Sequence, residues 1–367
     1  MKGGRLVASA LGVLAVAAGA LCISGCANLG YYWQSATGHL KLMAAARPVQ
    51  DWLTDEQASQ RLKERLALSQ RIRAFASSEL GLPDNPSYRR YADLQRSAVV
   101  WNVVAAPEFS LKLKTWCFPV TGCVGYRGYF DEAEARAEAD RQRAQGLEAA
   151  SYPVPAYSTL GWMNWAGGDP LLNTFIHYPE GELARLVFHE LAHQVVYAKD
   201  DTMFNESFAT AVERLGVERW LVSQAGEQAR RDYEQYNGRR VQFRALTRAT
   251  RQRLEAVYDE KLQVSPEERA RRKAEVLAQF RAEYARLRDS WNIDPARLRL
   301  SDQWVAQANN ASFGALAAYD ELVPGFEGLF RSLGGDWGRF YDEAKRLATV
   351  PKAERHHYLK SKETSGA

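Results

Sequence analysis

Five consecutive residues, His189-Glu190-Leu191-Ala192-His193, carry the strongest chemical signal in the chain. They fall in a stretch, 182–198, in which Leu183, Leu186, Val187, Leu191 and Val195 recur at helical spacing, which predicts a helix with one apolar face. Positions four apart on a helix project from the same side, so both imidazoles can reach one tetrahedral metal ion at about 2.0–2.1 Å each. Glu190 lies one step round, placed to reach a water on that ion without ligating it, which is where a general base belongs. The competing reading is a pair of structural histidines, exposed or satisfied in a core.

A catalytic metal needs a third protein ligand and an open position. Downstream acids that could supply the ligand are Asp200 and Asp201 in the connection, whose plainer role is capping, then Glu206 and Glu213. The last two are seven residues apart and face one side of the next helix. Here a resemblance enters. His-Glu-x-x-His followed by Asn205-Glu206-Ser207-Phe208-Ala209, an Asn-Glu-x-x-Ala word on the following helix, resembles the gluzincin metallopeptidases. It looks most like the predicted bacterial zinc aminopeptidase lipoproteins, whose short connecting loop it shares.

The resemblance implies one Zn2+ held by His189, His193 and Glu206, with Glu190 as base and a peptide or protein as substrate. Most gluzincins place the ligand glutamate about 19–20 positions after the second histidine. Glu206 comes 13 after His193, and Glu213 comes 20 after it. The local words favour Glu206, which leaves Glu213 as the hydrogen-bond partner of a ligand imidazole or as the alternative ligand. Gluzincins often use a tyrosine or histidine to stabilise the oxyanion. Tyr319 is the expected donor, with Tyr197 and Tyr178 as alternatives and His177 similarly placed. Asn173-Thr174-Phe175-Ile176 loosely resembles the family's edge strand along which substrate lies, or is a plain structural strand. An aminopeptidase also needs an acidic anchor for the substrate amine, which Glu180 or Glu182 could supply.

The elements that must position these groups are mostly helical. Residues 51–82 read as a helix with Thr54 as N-cap, and Leu62, Leu66 and Ile72 on one side. Val99, Val100, Val103 and Val104 read as a strand, 117–130 as a hairpin-like strand region, and 131–145 as a surface helix opening at Asp131. Asn205 opens the helix that follows the HELAH segment and runs to about 222. From Glu227 to Arg288 the chain is densely charged, and Ser265-Pro266-Glu267-Glu268 forms a capping-box start, so two long antiparallel helices are expected. Their charges suit a solvated face better than a nucleic-acid arm. Further helices are expected around 303–320 and 336–347.

Acidic residues (44) nearly match basic ones (48) over 367 residues, which speaks against a nucleic-acid partner. The first 26 residues read as an export signal: Lys2 and Arg5, an apolar run to Ile23, then Ile23-Ser24-Gly25-Cys26, which looks like a bacterial lipobox. An uncleaved transmembrane anchor is the alternative. Ala27 after the cysteine, where inner-membrane retention would use Asp, points to the periplasmic face of the outer membrane. Of four cysteines, Cys117 and Cys123 flank a short loop containing Pro and Gly, which suits a disulfide in an oxidising compartment.

The expected chain is thus mainly α with a small β-sheet: a lipoprotein signal over 1–26, a gluzincin-like catalytic core over 27–222, an inserted charged helical hairpin over 223–292, and a C-terminal helical part over 293–367. The expected activity is that of a zinc metallopeptidase, an aminopeptidase on the strength of the resemblance. An envelope endopeptidase or a catalytically silent zinc-binding lipoprotein scaffold is the alternative. Oligomeric state has no sequence signal.

Overall fold

Why the chain arranges its few strands as it does follows from β3 (Val100–Pro107), which is apolar at nearly every position and buried along its length. Such a strand needs cover on both faces. The computed structural model describes residues 29–118, 122–317 and 321–363. The expected leader with Cys26, and Tyr319, lie outside the described residues. A first helix, α1 (29–45), belongs to one unit, and a second unit begins at Arg47. Among the described residues no helix is long and apolar enough to cross a membrane.

In the second unit β3 is the centre of an antiparallel sheet, between β6 (Arg127–Tyr129) and β7 (Leu147–Val154). Val104 and Ala106 pack with Ala311 of α10 (Asn310–Ala317). The alternate side chains, Val103 and Ala105, face the other way, where α4 (Glu132–Arg143) packs with Ala135 and Ala139 buried. Asp131 caps α4 as expected, accepting from Glu134 N at 3.0 Å. A second small sheet joins β1 (Arg47–Pro48), β2 (Arg90–Ala92) and β8 (Leu171–Leu172). The hairpin β4 (Trp116–Phe118) and β5 (Gly122–Val124) pairs Cys117 with Cys123, which form the expected disulfide.

Helices make up the rest, so the chain is mainly α with small sheets. The expected 51–82 helix is split: α2 (Val49–Thr54) ends at Thr54, and α3 (Gln60–Ser78) starts afresh at Ser59, whose hydroxyl accepts from Leu62 N. Thr54 therefore ends a helix where it was expected to begin one. Next come α5 (Glu180–Ala192) and α6 (Thr202–Ser223), which pack on each other. The charged stretch is the expected hairpin, α7 (Glu227–Tyr258) and α8 (Pro266–Ser290), with Ser265 Oγ capping α8 through Glu268 N. The hairpin is not wholly solvated: Leu254, Phe280 and Tyr284 form a core with Val305, Ala308 and Phe313 of the following segment. The last part is finer than expected, with α9 (Arg299–Gln307), α10, α11 (Val323–Ser332), α12 (Trp337–Thr349) and α13 (Lys352–Glu363).

Candidate metal centre

The first turn of α5 carries Glu180 and Glu182, a favourable place for negative charge, and its inner face buries Leu183, Val187, Phe188 and Leu191. Burial of that face leaves His189 and Glu190 at the other side. The helix ends sooner than the expected 198. His193 is its C-cap, still right-handed at φ −58° and ψ −22°, and its N–H bonds His189 O at 3.3 Å. Helical stacking therefore persists through His193, whose ring sits edge-on to that of His189 with centroids 4.8 Å apart. Tertiary bonds stop the helix there. Gln194 Oε1 accepts from Asn85 Nδ2 at 2.7 Å, and Ala198 is held on both its N–H and its C=O by the Asn205 side chain.

The chain re-enters helix at Asp201, not at Asn205. Asp201 Oδ1 accepts from Phe204 N, and its carboxylate also meets His356 Nε2 at 2.9 Å and Lys352 at 3.4 Å. Asn205 lies one turn in. Asp200 accepts from Cys123 N at 2.6 Å, tying the connection to the disulfide hairpin. Both aspartates are thus spent on structure.

The first two turns of α6 bring Glu206 to the histidines. Glu206 Oε2 lies 3.3 Å from His189 Nε2 and 3.7 Å from His193 Nε2, and the two Nε2 atoms are 3.2 Å apart. Two ligands about 2.0–2.1 Å from one tetrahedral ion stand roughly 3.3 Å from each other, so this triangle has the size such an ion requires. Ligand atoms of His189, His193 and Glu206 all lie within 4.8 Å of one another, and the residues can hold a metal ion. Two imidazoles and one carboxylate are a borderline donor set that suits Zn2+ among common ions.

Glu213 occupies a different place. Its Oε2 meets His189 Nδ1 at 2.9 Å, on the far side of the ring from Glu206, and its Oε1 takes Arg185 Nη2 at 2.6 Å. That leaves His189 Nε2 for the ligand triangle. His193 has no such brace, and its Nδ1 is buried without a partner among the described residues.

Charge at the cluster is unbalanced toward the negative. Burial raises Glu206, but the two histidines more than offset it and hold it well below the usual carboxylate range. Burial likewise raises Glu213, yet Arg185 and His189 bring it to about 2. Burial opposes a charge on His189, but hydrogen bonds to Glu206 and Glu213 hold its pKa up at about 10. Glu206 and Glu213 meet the His189 ring at its two nitrogens, an arrangement that favours positive charge there. Glu190 behaves differently. Burial pushes its carboxyl up, opposed by the histidines, and it makes no hydrogen bond or ion pair among the described residues.

Several tyrosines lie near the cluster; Tyr197 is among the expected alternatives, whereas no sequence signal singles out Tyr126, Tyr152 or Tyr88. Tyr126 has its hydroxyl pushed well up by burial, then by Glu206, Tyr197, Tyr152 and Glu190. Tyr152 and Tyr197 are pushed up to about 12, mainly by burial, with Glu206 adding to it. Tyr88 is buried, its hydroxyl has no hydrogen-bond partner among the described residues, its φ of 66° is left-handed, and its pKa is raised by burial, Glu190 and Asp169. Tyr178 feels Tyr236 and Glu182 and no ligand of the triangle, and His177 sits beside Arg61 and Arg65. Neither belongs to the cluster.

The expected substrate strand is shorter than read. It ends at Leu172, and Asn173 and Thr174 lie in a turn. Asn173 bridges Leu94 N and Arg96 O, and Thr174 Oγ1 donates to Pro155 O at 2.5 Å, so both side chains hold loops together. Glu180 is half-buried and accepts from Trp220 Nε1 at 3.1 Å through one oxygen, whereas Glu182 is buried and already paired with Arg240 and Arg185.

Neither a curated protein nor a solved structure matches the chain. A family described as "Putative aminopeptidase" matches residues 30–359, which is nearly the whole length, and the chain belongs to that family.

Proposed function

We propose that the protein is a zinc-dependent peptidase of the gluzincin type that removes residues from peptide N-termini in the cell envelope. The observation that carries this reading is the triangle of His189, His193 and Glu206 with the unbonded Glu190 carboxylate beside it. In this reading His189 Nε2, His193 Nε2 and Glu206 hold one Zn2+, which supplies polarisation of the scissile carbonyl and acidification of a water. Glu190 takes the proton of the attacking water and passes it to the leaving amine, a role suited to a carboxylate one step round the helix from His189 and engaged by no hydrogen bond or ion pair among the described residues. The tetrahedral oxyanion needs a further donor, and the candidates among the described tyrosines are Tyr126, on whose buried hydroxyl Glu206 and Glu190 both act, and Tyr197, on which Glu206 acts. Cys26 would carry the lipid that anchors the chain, and an oxidising envelope compartment would suit the Cys117–Cys123 disulfide.

A silent zinc scaffold would need the ligands but no base, and the free Glu190 favours turnover. The test is a peptide-library digest by the soluble form beginning after Cys26, followed by mass spectrometry over time, with Glu190→Gln as control. Stepwise N-terminal loss that vanishes in the control supports the proposal. Internal cuts would make the protein an endopeptidase. No cleavage by a zinc-loaded protein would move the reading to the scaffold.

A further inference from the structure

The charged hairpin reaches the metal triangle through an unbroken line of ion pairs. Arg240, in the middle of α7, donates from Nη2 to Glu182 Oε1, and Asn237 Oδ1 steadies its other nitrogen at 3.3 Å. Glu182 Oε2 is 3.4 Å from Arg185 Nη1. Arg185 in turn grips Glu213 through Nε at 2.7 Å and Nη2 at 2.6 Å. Glu213 closes the line on His189 Nδ1 at 2.9 Å. The line is largely withdrawn from solvent: the side chains of Arg240, Glu182 and Glu213 are 16, 8 and 3% exposed.

The hairpin is also seated firmly where the line begins. A Cβ on Gly181 would lie 2.6 Å from the ring of Tyr233, so α7 approaches the first turn of α5 as closely as only glycine permits. Tyr233 feels Arg240, Glu182, Arg185 and Glu213 together, which places it at the centre of the same charges.

The sharing of Glu182 sets the direction of the effect. Its two oxygens divide between Arg240 and Arg185, with the Arg240 contact by far the closer. Without Arg240, Glu182 would be a buried carboxylate with one cation in reach, and Arg185 would be drawn to it and away from Glu213. Glu213 would then hold the His189 ring less firmly, and a ligand imidazole that loses its outer partner binds metal more weakly.

We propose that Arg240 is a positioning residue of the metal centre. By occupying Glu182 it keeps Arg185 on Glu213 and so fixes His189, which makes the hairpin part of the catalytic apparatus. This rests on the reading of His189, His193 and Glu206 as a Zn2+ site.

The test is Zn2+ affinity by chelator competition on the soluble form beginning after Cys26, for the wild type, Arg240→Ala, Arg240→Lys and the Arg240→Ala/Glu182→Gln pair. Arg240→Ala should weaken binding roughly 10-fold, near the low end of the effect of losing a ligand's outer partner. Arg240→Lys should recover part of that loss. The pair should return to within about threefold of wild type, because a neutral amide in place of the Glu182 carboxylate no longer pulls on Arg185. In turnover, kcat should fall with KM little changed for Arg240→Ala.

Simple loss of hairpin packing would not be rescued by Glu182→Gln, so a double variant no tighter than the single overturns the proposal. So does an Arg240→Ala protein that is folded by circular dichroism and binds Zn2+ as wild type does. A wild type that binds no Zn2+ fails the metal reading itself and takes this inference with it. A wild type that binds Zn2+ but cleaves nothing leaves the affinity comparison intact.

Discussion

Asn205 closes a ring with the backbone of Ala198: its Oδ1 accepts from Ala198 N at 2.7 Å, and its Nδ2 donates to Ala198 O at 2.8 Å. The amide staples the α5–α6 connection to the turn of helix that carries Glu206. This gives a physical reason for asparagine beside Glu206, and for how so short a connection brings Glu206 to both histidines. Asparagine alone offers a matched donor and acceptor at this length. Asn205→Ala leaves a buried N–H and C=O unpaired and should cost about 2–4 kcal/mol. Chemical denaturation with and without Zn2+ checks this. A cost below about 1 kcal/mol in both states would mean that water or another group replaces the staple.

The two glutamates of α6 should separate cleanly by metal binding. Glu206→Gln removes a ligand and should abolish stoichiometric Zn2+ binding, whereas Glu213→Gln should weaken it by about 10–100-fold. Titration with a competing chelator reads both. A reversed order would make Glu213 the ligand, contrary to its place on the Nδ1 side of His189.

Asp169 should leave a mark on stability against pH. It is buried, and burial lifts its carboxyl from 3.8 to about 6, against the pull of the Thr159 donors. A group that the folded state protonates more readily than the unfolded state stabilises below its unfolded pKa, and that contribution is lost as pH rises through the folded pKa. The window is therefore about pH 4 to 6. Asp169→Asn cannot ionise, so the stability of wild type relative to this variant should fall by up to about 3 kcal/mol across the window. Urea midpoints at several pH values test it, and parallel profiles would contradict it.

The Cys117–Cys123 disulfide closes a short loop, with a sequence separation of 6. Restricting the unfolded chain by so short a loop is worth about 2 kcal/mol. Gly122 sits at φ +73°, where a Cβ would strike the Asp200 carboxylate at 2.3 Å. The hairpin thus touches the connection between α5 and α6. Replacing both cysteines with serine should lower stability by that amount, read from denaturation, and Gly122→Ala should loosen the Asp200 bond to Cys123 N. Unchanged stability of the serine pair would mean that the unfolded chain gains nothing from opening the loop.

The elements that were legible in advance share one property: each is specified within a few residues of chain. The His189–His193 pairing follows from the pitch of a helix, and the Asp131 and Ser265 caps follow from side chains that bond backbone two or three residues on. The misread boundaries are those where a distant partner wins. The α5 helix stops at His193 because Asn85 and Asn205 claim the residues after it, and Asn173 and Thr174 leave the strand to bond loops far from them in sequence.

The amino-acid sequence by itself determined the chemistry on offer: two imidazoles and an acid on one turn, two glutamates on one face of the next helix, and two cysteines across a tight loop. Only the tertiary structure decided which glutamate meets Nε2 and which meets Nδ1, because seven-residue spacing puts both on the same face and the packing of α6 on α5 chooses between them. It also brought Arg240 of the hairpin to Glu182, dozens of residues away in the chain. Local periodicity encodes where a side chain points along its own element. Distances between elements depend on the whole set of packed residues, and no short stretch of chain contains that information.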